Sequence, residues 1–141
     1  MTLYLAADHN GWKLKEALKQ ALPKKIAVHD LSPTFQEGDD YPAIGKGLAQ
    51  KVTKTSDARG VLLCGSGVGM AIAANRVKGA RAVEGLTTKQ VTLARKDNDV
   101  NILTVGAWDQ SAADALALIN TFLKTKASSA ERHRRRVAQL G

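Results

Sequence analysis

Short apolar runs alternate with helix-period stripes from one end of the chain to the other. Leu3-Tyr4-Leu5-Ala6-Ala7 predicts a first strand, ending at Asp8-His9-Asn10-Gly11. Leu14, Leu18 and Leu22 then recur at i, i+4 and i+8, an amphipathic helix that Pro23 closes. Ile26-Ala27-Val28 opens a second strand that ends at His29-Asp30. A loop of turn formers (Ser32, Pro33, Gly38, Asp39, Asp40) leads to Tyr41-Pro42. Ile44, Leu48 and Val52 repeat the helical spacing. Val61-Leu62-Leu63 is a third, fully buried strand, and Val68 to Asn75 a short helix. Ala80 to Val83 is a fourth strand, and Thr87 stands where it can cap a helix over Thr88 to Lys96. Asn101 to Val105 makes a fifth strand, stopped by Gly106. Ala112, Ala115, Leu116, Ile119, Phe122 and Leu123 then pattern a long helix before a basic helical tail.

Strict alternation of this kind predicts an α/β protein. The expected architecture is a three-layer Rossmann-like fold, a five-stranded parallel sheet with helices on both faces. With no repeat, linker or low-complexity segment, residues 1–141 read as one domain. Ligands of such sheets bind beyond the carboxyl ends of the strands, where the strand order reverses. Asp8-His9, the loop before Tyr41, Cys64 and the segment after Val105 all fall there.

Composition changes this picture little. Hydrophobic residues at 44% and charged residues at 24% are ordinary for a globular domain. There is no basic-then-apolar leader and no apolar stretch near the ~20 residues of a membrane span, so a cytoplasmic location is expected and a membrane partner is not. One cysteine excludes an internal disulfide. The formal net charge of +8 includes the cluster Arg132-His133-Arg134-Arg135-Arg136. Aromatics are only 4% and no zinc-finger or RRM-type spacing appears, which argues against nucleic acid as the ligand. The cluster reads as a clamp for a small anion or as a solvated helix face.

Candidate chemistry concentrates in Cys64-Gly65-Ser66-Gly67-Val68-Gly69-Met70, directly after the third strand. A glycine turn between strand and helix points backbone N–H groups at one spot beside the chain's only thiol. A dinucleotide fingerprint would need glycine where Met70 stands, and there is no Gly-Lys-Ser/Thr phosphate loop. Cys64 by itself reads either as a small buried hydrophobe or as a thiol whose pKa the turn lowers. Asp8-His9 reads as a capping pair or a polar site pair, and Asp40-Tyr41-Pro42 as a helix start.

Taken in order, these pieces resemble the type B ribose-5-phosphate isomerases and their galactose-6-phosphate isomerase relatives. The matching residues are Asp8-His9, Gly11, Leu14-Lys15, Asp40-Tyr41-Pro42, Cys64 to Met70 and Ala74-Asn75-Arg76. Gly79 to Ala82, Ala94-Arg95, Asn98, Asn101, Arg132-His133 and Arg136-Val137 continue the match. The resemblance implies an aldose–ketose isomerase for phosphorylated sugars, working through a cis-enediolate without metal or cofactor. It assigns proton transfer to Cys64, assistance to Ser66, and oxyanion binding to the amides of Gly65, Gly67, Val68 and Gly69. Asp8, His9, Tyr41 and Asn98 fall at substrate-binding positions, and Arg132 and Arg136 at a phosphate clamp suited to guanidinium forks. It also implies a homodimer or tetramer with sites between subunits, the basic segment at about 128–141 packing on a partner.

Two positions depart from the family's pattern. Asp97 stands where the family has a ring-opening His, and Trp108 where it has a phosphate-binding Arg. Ala130-Glu131 also replaces a usual glycine pair. Three accounts are open for Asp97: a buried carboxyl of raised pKa doing the same work, a tetrose 4-phosphate substrate that cannot close a furanose, or a second related chain supplying the His. A galactose 6-phosphate substrate and a phosphosugar-binding protein without turnover are the further alternatives.

Overall fold

The computed structural model describes residues 1–141. Its strands are β1 (Thr2–Ala7), β2 (Ala27–Asp30), β3 (Ala58–Cys64), β4 (Ala82–Glu84) and β5 (Ile102–Gly106). They form one parallel sheet in the order β2-β1-β3-β5-β4. The helices are α1 (Trp12–Ala21), α2 (Tyr41–Lys54), α3 (Val68–Ala74), α4 (Thr88–Asn98), α5 (Ala112–Lys124) and α6 (Glu131–Ala138). The five-stranded parallel α/β architecture expected from the alternation is the one observed.

The period-2 side-chain alternation of β3 divides the interior into two halves. Val61 and Leu63 point into one core with Leu3, Leu5, Leu18, Val91, Leu103, Ile119 and Phe122, beneath α1, α4 and α5. Leu62 and Cys64 point into the other with Ala6, Leu48, Val52, Met70 and Ile102, beneath α2 and α3. From β1 the chain turns outward to β2 and then returns past β1 to β3. Their carboxyl ends therefore flank the point where strand order reverses, and Asp8 and Cys64 sit there.

Local signals set the helix ends. Thr87 accepts the Gln90 N–H at 3.1 Å and Ser111 accepts that of Asp114 at 3.1 Å, each a side-chain N-cap. The helix after Thr87 runs to Asn98, because Asp99 takes the left-handed conformation (φ 46°) that ends it.

One buried charge cluster ties α1 to β2. The Lys15 side chain is 0% exposed, yet its ammonium donates to Asp30 Oδ2 (2.6 Å), Glu16 Oε1 (2.7 Å) and the Ser32 carbonyl (2.8 Å). Lys19 adds a second contact to Asp30 Oδ2 at 2.6 Å. Burial opposes ionisation of Asp30, but the bonds from both lysines win and hold its carboxyl below the usual range. Asp30→Ala leaves a buried ammonium short of a counter-charge, so a loss of about 3 kcal/mol is expected from the urea midpoint at unchanged m. Because the folded pKa is lowered, this contribution is present above the carboxylate's unfolded range. It fades as pH falls through the folded value, so the gap between the two proteins should close in acid.

Candidate active site

Cys64 is the last residue of β3 and only 5% exposed. Gly67 turns the chain with φ +87°, a conformation that a side chain would strain. That turn aims the Gly67 N–H at the Cys64 Sγ, 3.1 Å away. Ser66 Oγ accepts the Val68 N–H at 3.3 Å, which holds the hydroxyl at the start of α3.

The loop is pinned by β5. Ala107 N–H donates to the Cys64 carbonyl (2.8 Å) and Trp108 N–H to that of Gly65 (3.0 Å). Two aromatic rings lie against it. The Tyr41 ring would stand 2.7 Å from a Cβ at Gly69, and the Trp108 indole 2.4 Å from one at Gly65. Those glycines are therefore required by close approach of rings. Trp108 itself is 70% exposed, an apolar face presented beside the Cys64 turn.

Burial is the largest influence on the Cys64 thiol and pushes its pKa up, with the Asp8 carboxylate adding in the same direction. The amides of Gly67, Met70 and Ser66 oppose this without overcoming it. Of the two sequence readings of Cys64, the thiol of lowered pKa is not what the fold builds, because the strand end lies deeper than its position at a turn implies. The sulfur is nonetheless surrounded on one side by amide donors, not sealed in hydrocarbon.

Asp8 follows β1, one strand over, its own N–H on the Leu63 carbonyl (3.1 Å). Its carboxylate accepts the N–H groups of Asn10 and Gly11, both at 3.0 Å, and burial pushes its pKa up. Asp8 is thus a cap for the turn into α1 as well as a neighbour of Cys64. His9 Nδ1 lies 2.9 Å from Asp39 Oδ1, which also accepts the His9 N–H at 2.8 Å. The Asp39 carboxylate holds the His9 imidazole above its ordinary pKa. Nε2 faces Asn10 Nδ2 at 3.1 Å. Asp39 was legible only as a turn former; its pairing with His9 bridges 30 residues and left no local signature.

The remaining predicted residues are elsewhere. α4 begins above the carboxyl end of β4 and runs back, so Asp97 and Asn98 lie at the amino-terminal edge of the sheet. At ~3.3 Å per residue, the strands place that edge roughly 15 Å from Cys64. α6 packs on this same end of α4 through His133 and Val137, with the Ser128 N–H on the Lys96 carbonyl at 2.9 Å. The Asp97 side chain is 46% exposed and 3.8 Å from His133 Nδ1, so the buried carboxyl considered for this position is not what the fold builds. Arg132 and Arg136, four residues apart on one face of α6, are exposed and have no carboxylate partner. One chain thus brings together Asp8, His9, Tyr41, Cys64, Ser66 and the glycine loop, and places Asp97, Asn98, Arg132 and Arg136 at the far edge. The main cavities of the chain are not lined by Cys64. No group of three or more His, Cys, Asp or Glu side chains is arranged to hold a metal ion. No helix is long and apolar enough to cross a membrane.

Known proteins share both sequence and shape. A family model described as Ribose/Galactose Isomerase matches residues 3–140. Ribose-5-phosphate isomerase B of Mycobacterium tuberculosis is 37% identical over 141 residues, 97% of this chain and 86% of the relative. Among solved structures, a ribose 5-phosphate isomerase from Thermotoga maritima superposes with a TM-score of 0.92 at 37% identity, covering 99% of this chain and 96% of that one. Ribose-5-phosphate isomerase B from Mycoplasma genitalium, solved with bound ribulose-5-phosphate, gives 0.91 at 35% identity, covering 99% and 93%.

Proposed function

The chain belongs to the ribose/galactose isomerase family, and from that premise we propose that it interconverts ribose 5-phosphate and ribulose 5-phosphate through a cis-enediolate. The observation that carries this reading is a buried cysteine sulfur at the strand-order reversal, held by the amides of a glycine turn. The Cys64 thiolate takes the C2 proton of the open-chain aldose, leaving an enediolate, and the resulting thiol, its proton exchanging with solvent while the enediolate lasts, delivers a proton to C1 to give the ketose. The Ser66 hydroxyl relays the proton between the two substrate oxygens. Amide donors of Gly65, Gly67, Val68 and Gly69 favour the negative charge that develops, the term that usually dominates such reactions. Asp8, His9 and Tyr41 form the wall of the site beside the sugar hydroxyls.

The phosphate end is completed by a second copy of the chain. Arg132 and Arg136 are exposed, uncompensated cations at the wrong edge of the sheet for their own Cys64, and α6 carries them outward as a unit. In a homodimer the α4–α6 edge of one protomer meets the cleft of its partner, bringing Arg132, Arg136, Asp97 and Asn98 with it. Exposed Val68 and Ile72, one turn apart on α3, and Leu86 and Leu93 supply apolar surface for such contact. The Asp97–His133 pair supplies the acid–base group that opens the sugar ring. The enzyme acts as one domain in the cytoplasm and needs no metal or cofactor.

Incubation with ribose 5-phosphate in heavy water tests the activity. Ribulose 5-phosphate carrying solvent deuterium at C1 is expected, and a protein that binds the sugar without converting it overturns the reading. The Trp108 indole over Gly65 favours a second substrate reading, a shorter sugar phosphate covered by the ring. A tetrose, pentose and hexose phosphate panel decides between them by kcat/KM. Because burial raises the Cys64 pKa, the thiolate fraction still climbs through the ordinary thiol range. kcat/KM should therefore rise with pH up to and beyond about 8.5. A plateau already reached at pH 7 would exclude Cys64 as the base.

A further inference from the structure

At the amino-terminal edge of the sheet, opposite the Cys64 turn, lies a polar cavity of about 460 Å³. It is bounded by the end of α2, the starts of β3 and β5, the approach to β4 and the end of α4. Four cations line it, Arg59, Lys78, Arg81 and Arg95, against two carboxylates, Asp57 and Asp99. Both carboxylates are already engaged. Asp99 Oδ2 meets Arg81 at 3.1 Å and Oδ1 meets Arg95 at 2.8 Å, while Asp57 holds the N-terminal ammonium at 3.0 Å. Arg59 and Lys78 are left without a carboxylate.

Arg59 spends only Nη1 on the protein, donating to the Phe122 and Leu123 carbonyls. Its Nε and Nη2 have no partner in the chain. The Arg59 and Arg95 guanidinium carbons lie 5.4 Å and 5.8 Å from the centroid of the same Phe122 ring. Two like charges lie against one aromatic ring, and burial together with Arg95 already disfavours the charged form of Arg59. A multiply charged anion would relieve both costs and take up donors that have no partner in the chain.

We propose that this cavity is a second anion site, for a small phosphate-bearing ligand, separate from the site at Cys64. Arg59 supplies the fork, Lys78 the point charge at the mouth, and Arg81 and Arg95, braced by Asp99, the positive wall. A volume of this size suits a small phosphorylated metabolite, not a polymer. Carbonyls at the end of α5 (Phe122, Leu123, then Thr125) and just past α4 (Asp99, Val100) already take up part of the guanidinium donors, which sets the remaining donors in fixed directions.

Calorimetric titration of the full chain with inorganic pyrophosphate tests this. One site per chain is expected, with affinity reduced at least 10-fold by Lys78→Glu. Lys78 is exposed and makes no ion pair, so this variant keeps its fold and its isomerase rate without pyrophosphate. Arg59→Gln should weaken the same site, and a thermal scan without ligand checks that it is folded. Arg132→Ala/Arg136→Ala, which empties the proposed substrate clamp, should leave the affinity unchanged. Absence of binding overturns the proposal, as does binding that Lys78→Glu and Arg59→Gln leave intact. Loss of the pyrophosphate site in Arg132→Ala/Arg136→Ala overturns it too, since the anion then occupies the substrate clamp. Turnover is not the readout, so failure here leaves the isomerase reading standing, and failure of that reading leaves this site testable.

Discussion

Cys64→Ala is expected to lower kcat for aldose–ketose conversion by about 10³-fold, within the range typical of a lost acid–base group. In the proposed mechanism the sulfur acts on the reacting carbons and takes no part in holding the phosphate, so KM should change little. That pattern, a fall in kcat and kcat/KM together, marks an interaction made only in the transition state. Folding should survive, because the side chain is small and contributes one amide contact to the loop. Deuterium incorporation at the exchanging carbon is the sharper readout, since it reports proton abstraction even where release of product is slow. Retention of exchange at the parent rate would remove Cys64 from the mechanism and with it the reason for the buried glycine turn. Cys64→Ser separates basicity from space: a hydroxyl of nearly the same shape should restore the loop but not the rate.

Two inactive variants should rescue one another. Cys64→Ala lacks the base, and Arg132→Ala/Arg136→Ala lacks the phosphate clamp, so each alone is expected to show little turnover. If the clamp serves the partner's cysteine, a dimer of one chain of each kind carries one complete site and one doubly deficient site. Refolding an equal mixture makes about half the dimers mixed, so activity should return to roughly one quarter of the parent protein. A clamp acting within its own chain predicts no recovery at all. The physical basis is the direction of α4 and the length of the sheet, which put Arg132 and Arg136 at the edge away from their own Cys64.

Much of the site was legible because its parts are local. Cys64, Ser66 and Gly67 act through a turn of four residues whose geometry follows from where glycine sits. Asp8 caps a turn three residues long, and its bonds to Asn10 and Gly11 need nothing from the rest of the chain. Asp39 was invisible for the opposite reason, since its partner His9 lies on another strand end. The direction of the thiol's pKa shift stayed open in the sequence, because a turn's dipoles are readable there, whereas depth below the surface is a property of all that packs above. The surroundings of Asp97 were unreadable for the same reason. Its neighbourhood depends on α6 folding back on α4, and the half-exposed contact with His133 follows from that docking.

Hydrophobic periodicity alone determined five strands, the helices between them and a parallel sheet, because a strand's period of two and a helix's of 3.6 are written residue by residue. It also determined where the reactive turn lies, since glycine before a helix is a local instruction. Only the packed structure decided which charges are buried, which carboxylates are already paired, and which residues share an edge. Those outcomes are set by strand order and by distances between segments far apart in the chain. They separate Cys64 from its proposed phosphate clamp by the length of the sheet and leave the two to be joined across a pair of molecules.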